Sequence, residues 1–252
     1  MKLSNLPVDP RHLTNRLRTL ASQAGLDRGY SKCFAIGFNK TGTSSIHHVF
    51  KTTGMSAIHS TSWNKPGRSV DLFVHQGFSD GTICNFAELD RRFPNSKFIL
   101  NVRDLDEWLD SRIEHIRSTT LANMHQSRGT WSVDETAIQT WIEKRNRHHL
   151  AVIEHFALRP DDLLILNYIG DENAVARLCD FVRRPRISAR PFIRPIAKTR
   201  THGKLKNEDL IGRVLQSLMI PEAEWQTDIF CPSLLASAAQ SKIPPHSRDL
   251  SR

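Results

Sequence analysis

The chain has 252 residues, of which 39% are hydrophobic and 24% charged, with 35 Lys and Arg against 26 Asp and Glu. A chain of this length buries about 75% of its unfolded surface on folding, so one α/β-sized core needs no disulfide or metal staple. No apolar run approaches the roughly 18 residues of a membrane span, and the first 30 residues hold no continuous apolar stretch of signal-peptide type, so neither secretion nor membrane spanning is expected.

In chain order, residues 10–25 place Leu13, Leu17, Leu20, Ala21 and Ala24 on one face of a short basic amphipathic helix, a pattern shared by organelle-targeting peptides. Cys33–Phe38 is a short apolar run, followed by the small and hydroxylated Asn39–Ser45 and then by Ile46–Thr53. Strand, loop and helix is the natural reading, with Gly54 closing the helix. Met55–His59 and Val70–His75 are expected strands, separated by a turn cluster from Trp63 to Gly67. Cys84–Phe93 reads as a short helix stopped by Pro94 and Asn95, and Lys97–Val102 as the clearest buried strand of the chain.

Asp104 with Glu107, and Ser132 with Glu135, have capping-box spacing ahead of two further helices. The first carries an apolar stripe of Leu105, Trp108, Leu109, Ile113 and Ile116; the second continues to Phe156 and is broken by Pro160 and Asp161. Leu163–Leu166 is a further strand, Glu172–Val182 a further helix, and Asn207 the expected cap of a helix over Glu208–Leu218. The four cysteines, Cys33, Cys84, Cys179 and Cys231, form no C-x-x-C pair and read as free thiols of a reducing, cytoplasmic compartment.

From Arg183 to Asn207 there are nine Lys or Arg and no Asp or Glu, interleaved with Pro185, Pro191 and Pro195. Such a stretch is either a solvated loop or one that engages an anion. It holds one aromatic, Phe192, and no nucleic-acid-binding motif, so a phosphorylated small molecule suits it at least as well as a nucleic acid. We therefore divide the chain into a basic N-terminal extension (1–30), one α/β domain (31–230) and a loosely held tail (231–252). Alternating strands and helices imply three α/β/α layers around a central, mainly parallel sheet, with a P-loop-like strand-loop-helix at its start. Ligands in such folds sit at the carboxyl ends of strands, which directs attention to the residues just after Phe38 and just after Val102.

In the first of these places, consecutive backbone N–H groups and a helix dipole form an anion cradle. Lys40 adds a point charge, and the hydroxyls of Thr41, Thr43, Ser44 and Ser45 add donors. The lysine precedes Gly42, so this is not the G-x-x-x-x-G-K-[ST] loop of nucleotide triphosphatases. Taken alone, it is equally an ordinary Thr/Ser-rich helix N-terminus.

Two segments together resemble the P-loop sulfotransferases. Phe34–Phe50 (FAIGFNKTGTSSIHHVF) is similar to that family's 5′-phosphosulfate-binding loop, whose signature is Lys-[Ser/Thr]-Gly-Thr-[Ser/Thr] after a hydrophobic strand. Residues 97–112 (KFILNVRDLDEWLDSR) resemble its 3′-phosphate-binding strand and helix, in which an arginine is followed eight residues later by a serine; Arg103 and Ser111 have that spacing. The similarity is best over residues 32–112 and fades after Ser132.

The resemblance implies an enzyme that moves a sulfuryl group from 3′-phosphoadenosine 5′-phosphosulfate (PAPS), as donor substrate and without a metal, to an acceptor hydroxyl on a carbohydrate, lipid or small molecule. It implies that Lys40 stabilises charge on the leaving oxygen, that Lys40, Thr41, Gly42, Thr43, Ser44 and Ser45 hold the 5′-phosphosulfate, and that Arg103 and Ser111 hold the 3′-phosphate. It also implies a general base in the loop before the 3′-phosphate strand. By position that loop is Gln76–Gly81 and the base Asp80, with His75 and His59 as alternatives. Ile46 and His47 stand where some relatives carry an adenine-stacking tryptophan, so the adenine contacts stay unassigned. Arg200 and Lys204 stand where relatives send a basic loop over the 3′-phosphate. Two other classes compete. A kinase or NTPase of the same fold is disfavoured by the lysine's position, and a non-catalytic nucleotide- or polyanion-binding protein by the presence of both Lys40 and Asp80. The expected partners are a small-molecule donor and a hydroxyl acceptor, with no nucleic acid and no membrane span; the oligomeric state is not legible.

Overall fold

The computed structural model describes residues 31–64, 69–80, 84–125, 133–188 and 205–234. The amphipathic pattern at 10–25, the end of the turn cluster at Lys65–Gly67, Gly81, Ser132, Arg200, Lys204 and the tail beyond Leu234 lie outside them. The chain divides into two compact units, residues 1–102 with 148–201, and residues 103–147 with 202–252.

The first unit is built on strands too short to be stable except as a sheet. These are β1 (Cys33–Ala35), β2 (Ala57–His59), β3 (Gly77–Ser79), β4 (Lys97–Asn101) and β5 (Leu163–Leu166), in the order β2-β3-β1-β4-β5 and parallel throughout. Side chains alternate across it with the period of two that strands impose. Cys33 and Ala35 turn to one face with Ile99 and Leu166, against Ile46, Val49 and Phe50 of α1 (Thr43–Thr52) and Val175, Leu178 and Cys179 of α6 (Ala174–Phe181). Phe34, Ile36, Phe98 and Leu100 turn to the other, against Leu89 of α3 (Phe86–Arg92) and Val152 and Phe156 at the end of α5 (Glu135–Phe156). Helices on both faces of a parallel sheet make the expected three-layer fold.

Gly54 closes α1 as expected. Its φ is +79°, its N–H donates to the carbonyl of Lys51 at 3.0 Å, and Met55 N–H donates to that of Phe50 at 2.9 Å. This is the left-handed helix end for which glycine has no steric cost. Two expectations are corrected. Val70–His75 is not a strand but lies across α2 (Ser69–Val74), and the expected loop at Gln76–Gly81 contains β3. A short apolar run does not declare its period, and the sheet position went to the residue that fits it: a Cβ on Gly77 would lie 2.7 Å from the Phe50 ring. At the start of α5 the Asp134 carboxylate accepts the N–H of Ala137 at 2.8 Å.

The second unit contains α4 (Leu105–His125), the part of α5 before His148, and α7 (Glu208–Ser217). Leu105, Trp108, Leu109 and Ile113 are buried along α4, as the stripe required, with Ile211, Val214 and Leu215 buried along α7. Asn207 precedes α7, but its side chain does not cap it. The amide donates instead to Asp110 at 2.8 Å and Glu114 at 3.2 Å of α4, while its backbone carbonyl accepts the first helical bond from Ile211. All four cysteines are buried free thiols. Among the described residues, no helix is long and apolar enough to cross a membrane.

Candidate active site

The loop from Gly37 to Gly42 leaves the carboxyl end of β1, at the centre of the sheet. Lys40 and Gly42 both have positive φ, +68° and +90°. Alternate left-handed residues turn successive N–H groups toward one side, the geometry of an anion nest. The first-turn N–H groups of α1 come next, which no intrahelical carbonyl can use. Gly42 is required twice over: by its φ, and because a Cβ there would stand 3.0 Å from Cβ of Tyr168, just beyond β5.

The loop is braced by a residue that motif reading did not single out. Asn101, fully buried at the end of β4, accepts the N–H of Gly37 at 2.9 Å and donates to the carbonyl of Phe38 at 3.2 Å and to the hydroxyl of Thr41. Thr41 Oγ1 in turn donates to Phe38 O at 2.6 Å. That hydroxyl is therefore spent on the loop itself. The signal was present, since an asparagine in the apolar run K-F-I-L-N-V needs a buried partner. From the opposite side His148 Nε2–H donates to the carbonyl of Ile36 at 2.7 Å, and burial lowers the pKa of that ring while the carbonyl raises it. Asn101→Ala is expected to cost about 1–3 kcal/mol of stability, because it leaves the Gly37 N–H buried without an acceptor. Chemical denaturation measures it; a change near zero would mean that the brace carries no weight.

His59 and Asp80 come together at the same edge. His59 ends β2, and Asp80 follows β3 with a φ of +62°. His59 Nδ1 is 2.9 Å from Ser79 Oγ, and its Nε2 is 3.2 Å from Ser44 Oγ in the first turn of α1 and 3.9 Å from Asp80 Oδ2. The His47 ring lies 5.5 Å from that of His59, and its pKa is lowered to about 4, chiefly by burial and then by the charge of His59. His75 is at the other end of the sheet. Its carbonyl accepts Lys32 Nζ at 2.9 Å, and the next residue, Gln76, accepts the N–H of Cys33 at the start of β1.

In the second unit, Arg103 stands ahead of α4 and its Nε donates to Glu107 Oε2 at 3.3 Å. Arg103, Glu107 and Ser111 succeed one another at four-residue intervals, so they share a side of the helix that the apolar stripe leaves open. The backbone here is pinned by Arg145, 1% exposed, which donates to the carbonyls of Arg103 at 3.3 Å and Thr227 at 2.8 Å. Burial lowers its pKa to about 10. The N–H groups of Leu105 and Asp106 donate to Thr227 and Trp225. Among the described residues, no group of three or more His, Cys, Asp or Glu is arranged to hold a metal.

Residues 75–192 match the family model described as a sulfotransferase domain. Over that span the chain is similar to sulfotransferases. The matched span holds Asp80, Asn101, Arg103, Ser111 and Arg145, and begins beyond the loop at Gly37–Ser45. No curated protein matches the chain.

Proposed function

We propose that the protein transfers a sulfuryl group from PAPS to the hydroxyl of a carbohydrate, lipid or small-molecule acceptor. The observation that carries this reading is the cradle at the end of β1, held open by Asn101 and Gly42, on the sheet edge where Asp80 also emerges. Its N–H groups and Lys40 suit the terminal oxygens of a phosphosulfate. The side chains of Thr43, Ser44 and Ser45 and the backbone of Thr41 and Gly42 complete the grip. The acceptor oxygen attacks sulfur in line; the S–O bond to the 5′-phosphate breaks and its electron pair leaves with adenosine 3′,5′-bisphosphate. Lys40 stabilises that growing charge, and Asp80 takes the acceptor's proton. Buried thiols are in keeping with a reducing, cytoplasmic setting.

Arg103 and Ser111 are assigned to the 3′-phosphate on their spacing and shared helix side. The described end of the basic stretch supports the assignment: Lys206 Nζ is 3.1 Å from Glu114, and Asn207 N–H donates to Asp110, the neighbour of Ser111. The stretch therefore ends against the helix that carries Ser111.

Calorimetric titration tests the donor. Adenosine 3′,5′-bisphosphate should bind at least about tenfold more tightly than AMP, since charge-assisted bonds contribute roughly 1.5–3 kcal/mol each, and Arg103→Ala should erase most of the difference. Equal affinities would favour a kinase-like or polyanion-binding protein.

A further inference from the structure

The hydrogen-bond partners of His59 accommodate the tautomer with its proton on Nδ1 and a basic Nε2. Ser79 Oγ has one proton and an acceptor for it in the carbonyl of Ile58, 3.4 Å away. With the imidazole proton on Nδ1, Ser79 accepts from His59 Nδ1–H and Nε2 keeps a lone pair that receives the hydroxyl of Ser44. That lone pair also stands 3.9 Å from a carboxylate oxygen of Asp80. A neutral imidazole that turns its basic nitrogen toward a carboxylate gains an ion pair on taking up a proton. The charged and titratable groups on the elements around it are His47, His48 and Lys51 of α1, Lys40 of the loop before α1, and Asp80 after β3. His47 is held neutral by burial and does not compete for the proton.

We propose that His59 is the proton sink behind Asp80, a positioning residue that carries the acceptor's proton away from the reacting centre. It rests on the sulfotransferase reading with Asp80 as base. As the acceptor oxygen bonds to sulfur and the bisphosphate departs with its electron pair, the acceptor O–H breaks and an Asp80 O–H forms. That O–H then breaks as the proton moves to His59 Nε2, leaving an imidazolium paired with a restored carboxylate; the imidazolium releases the proton to water. Imidazoles, with an ordinary pKa of about 6.5, hold a proton at neutral pH far better than carboxylates do. The Ser44 bond gives the device a link to the donor, because a phosphosulfate that takes the Ser44 hydroxyl leaves Nε2 to face Asp80 alone.

The test compares kcat/KM against pH for the parent, His59→Gln and His59→Asn, with bisphosphate affinity measured separately by calorimetry. His59→Asn keeps an N–H donor near the Nδ1 position and so preserves the bond to Ser79. The parent should show an acidic limb. Both variants should be slower at neutral pH by roughly tenfold or more, with that limb displaced and bisphosphate affinity within about threefold of the parent. An acidic limb unmoved in both variants would overturn the proposal. So would a loss of bisphosphate affinity matching the loss of rate, which would make His59 only a prop for the donor loop. A parent that binds bisphosphate and transfers sulfate, but whose rate is indifferent to Asp80→Asn, would remove the base on which the relay depends. A parent that does neither would remove the sulfotransferase reading itself.

Discussion

Lys40→Ala is expected to lower sulfuryl transfer by roughly 10²–10³-fold with the fold intact, the usual cost of removing one electrostatic stabiliser from a transition state. Lys40 already sits at a φ of +68°. Alanine meets the same left-handed strain as lysine there, so the backbone of the loop has no new reason to move. The brace from Asn101 and the packing of Tyr168 on Gly42 do not involve the lysine side chain. Melting temperature should therefore stay near that of the parent while the single-turnover rate falls. Retention of most of the transfer activity would exclude Lys40 from the transition state, and a large drop in melting temperature would make it a structural residue instead.

Asp80→Asn is expected to cost about 10²–10⁴-fold in turnover with little change in bisphosphate affinity, because a base acts on the acceptor and need not touch the donor. Asparagine tolerates the left-handed φ of +62° at this position at least as well as aspartate and keeps the side chain's size. What it loses is the ability to take a proton. His75→Gln is the matched control, since His75 lies at the amino edge of the sheet beside Lys32. An active Asp80→Asn together with a dead His75→Gln would reverse the assignment and require the acceptor to approach from the other end.

Local signals determined a good part of this protein. The apolar run into Asn39–Ser45, the closing Gly54, the strand Lys97–Val102 and the Arg103–Ser111 spacing are each set within a few residues, where propensity and helix geometry act directly. The three-layer fold results from their alternation. Tertiary structure decided the rest, because strand order is a property of the packed sheet. Only when β4 lies beside β1 does Asn101 reach Gly37, 64 positions away. Only when β2 and β3 are paired does His59 stand beside Ser79 and Asp80. At Gly77 in β3 the Phe50 ring comes so close that only a residue without a side chain fits. No short window of sequence contains that contact, and filling the space with a side chain would overpack the core.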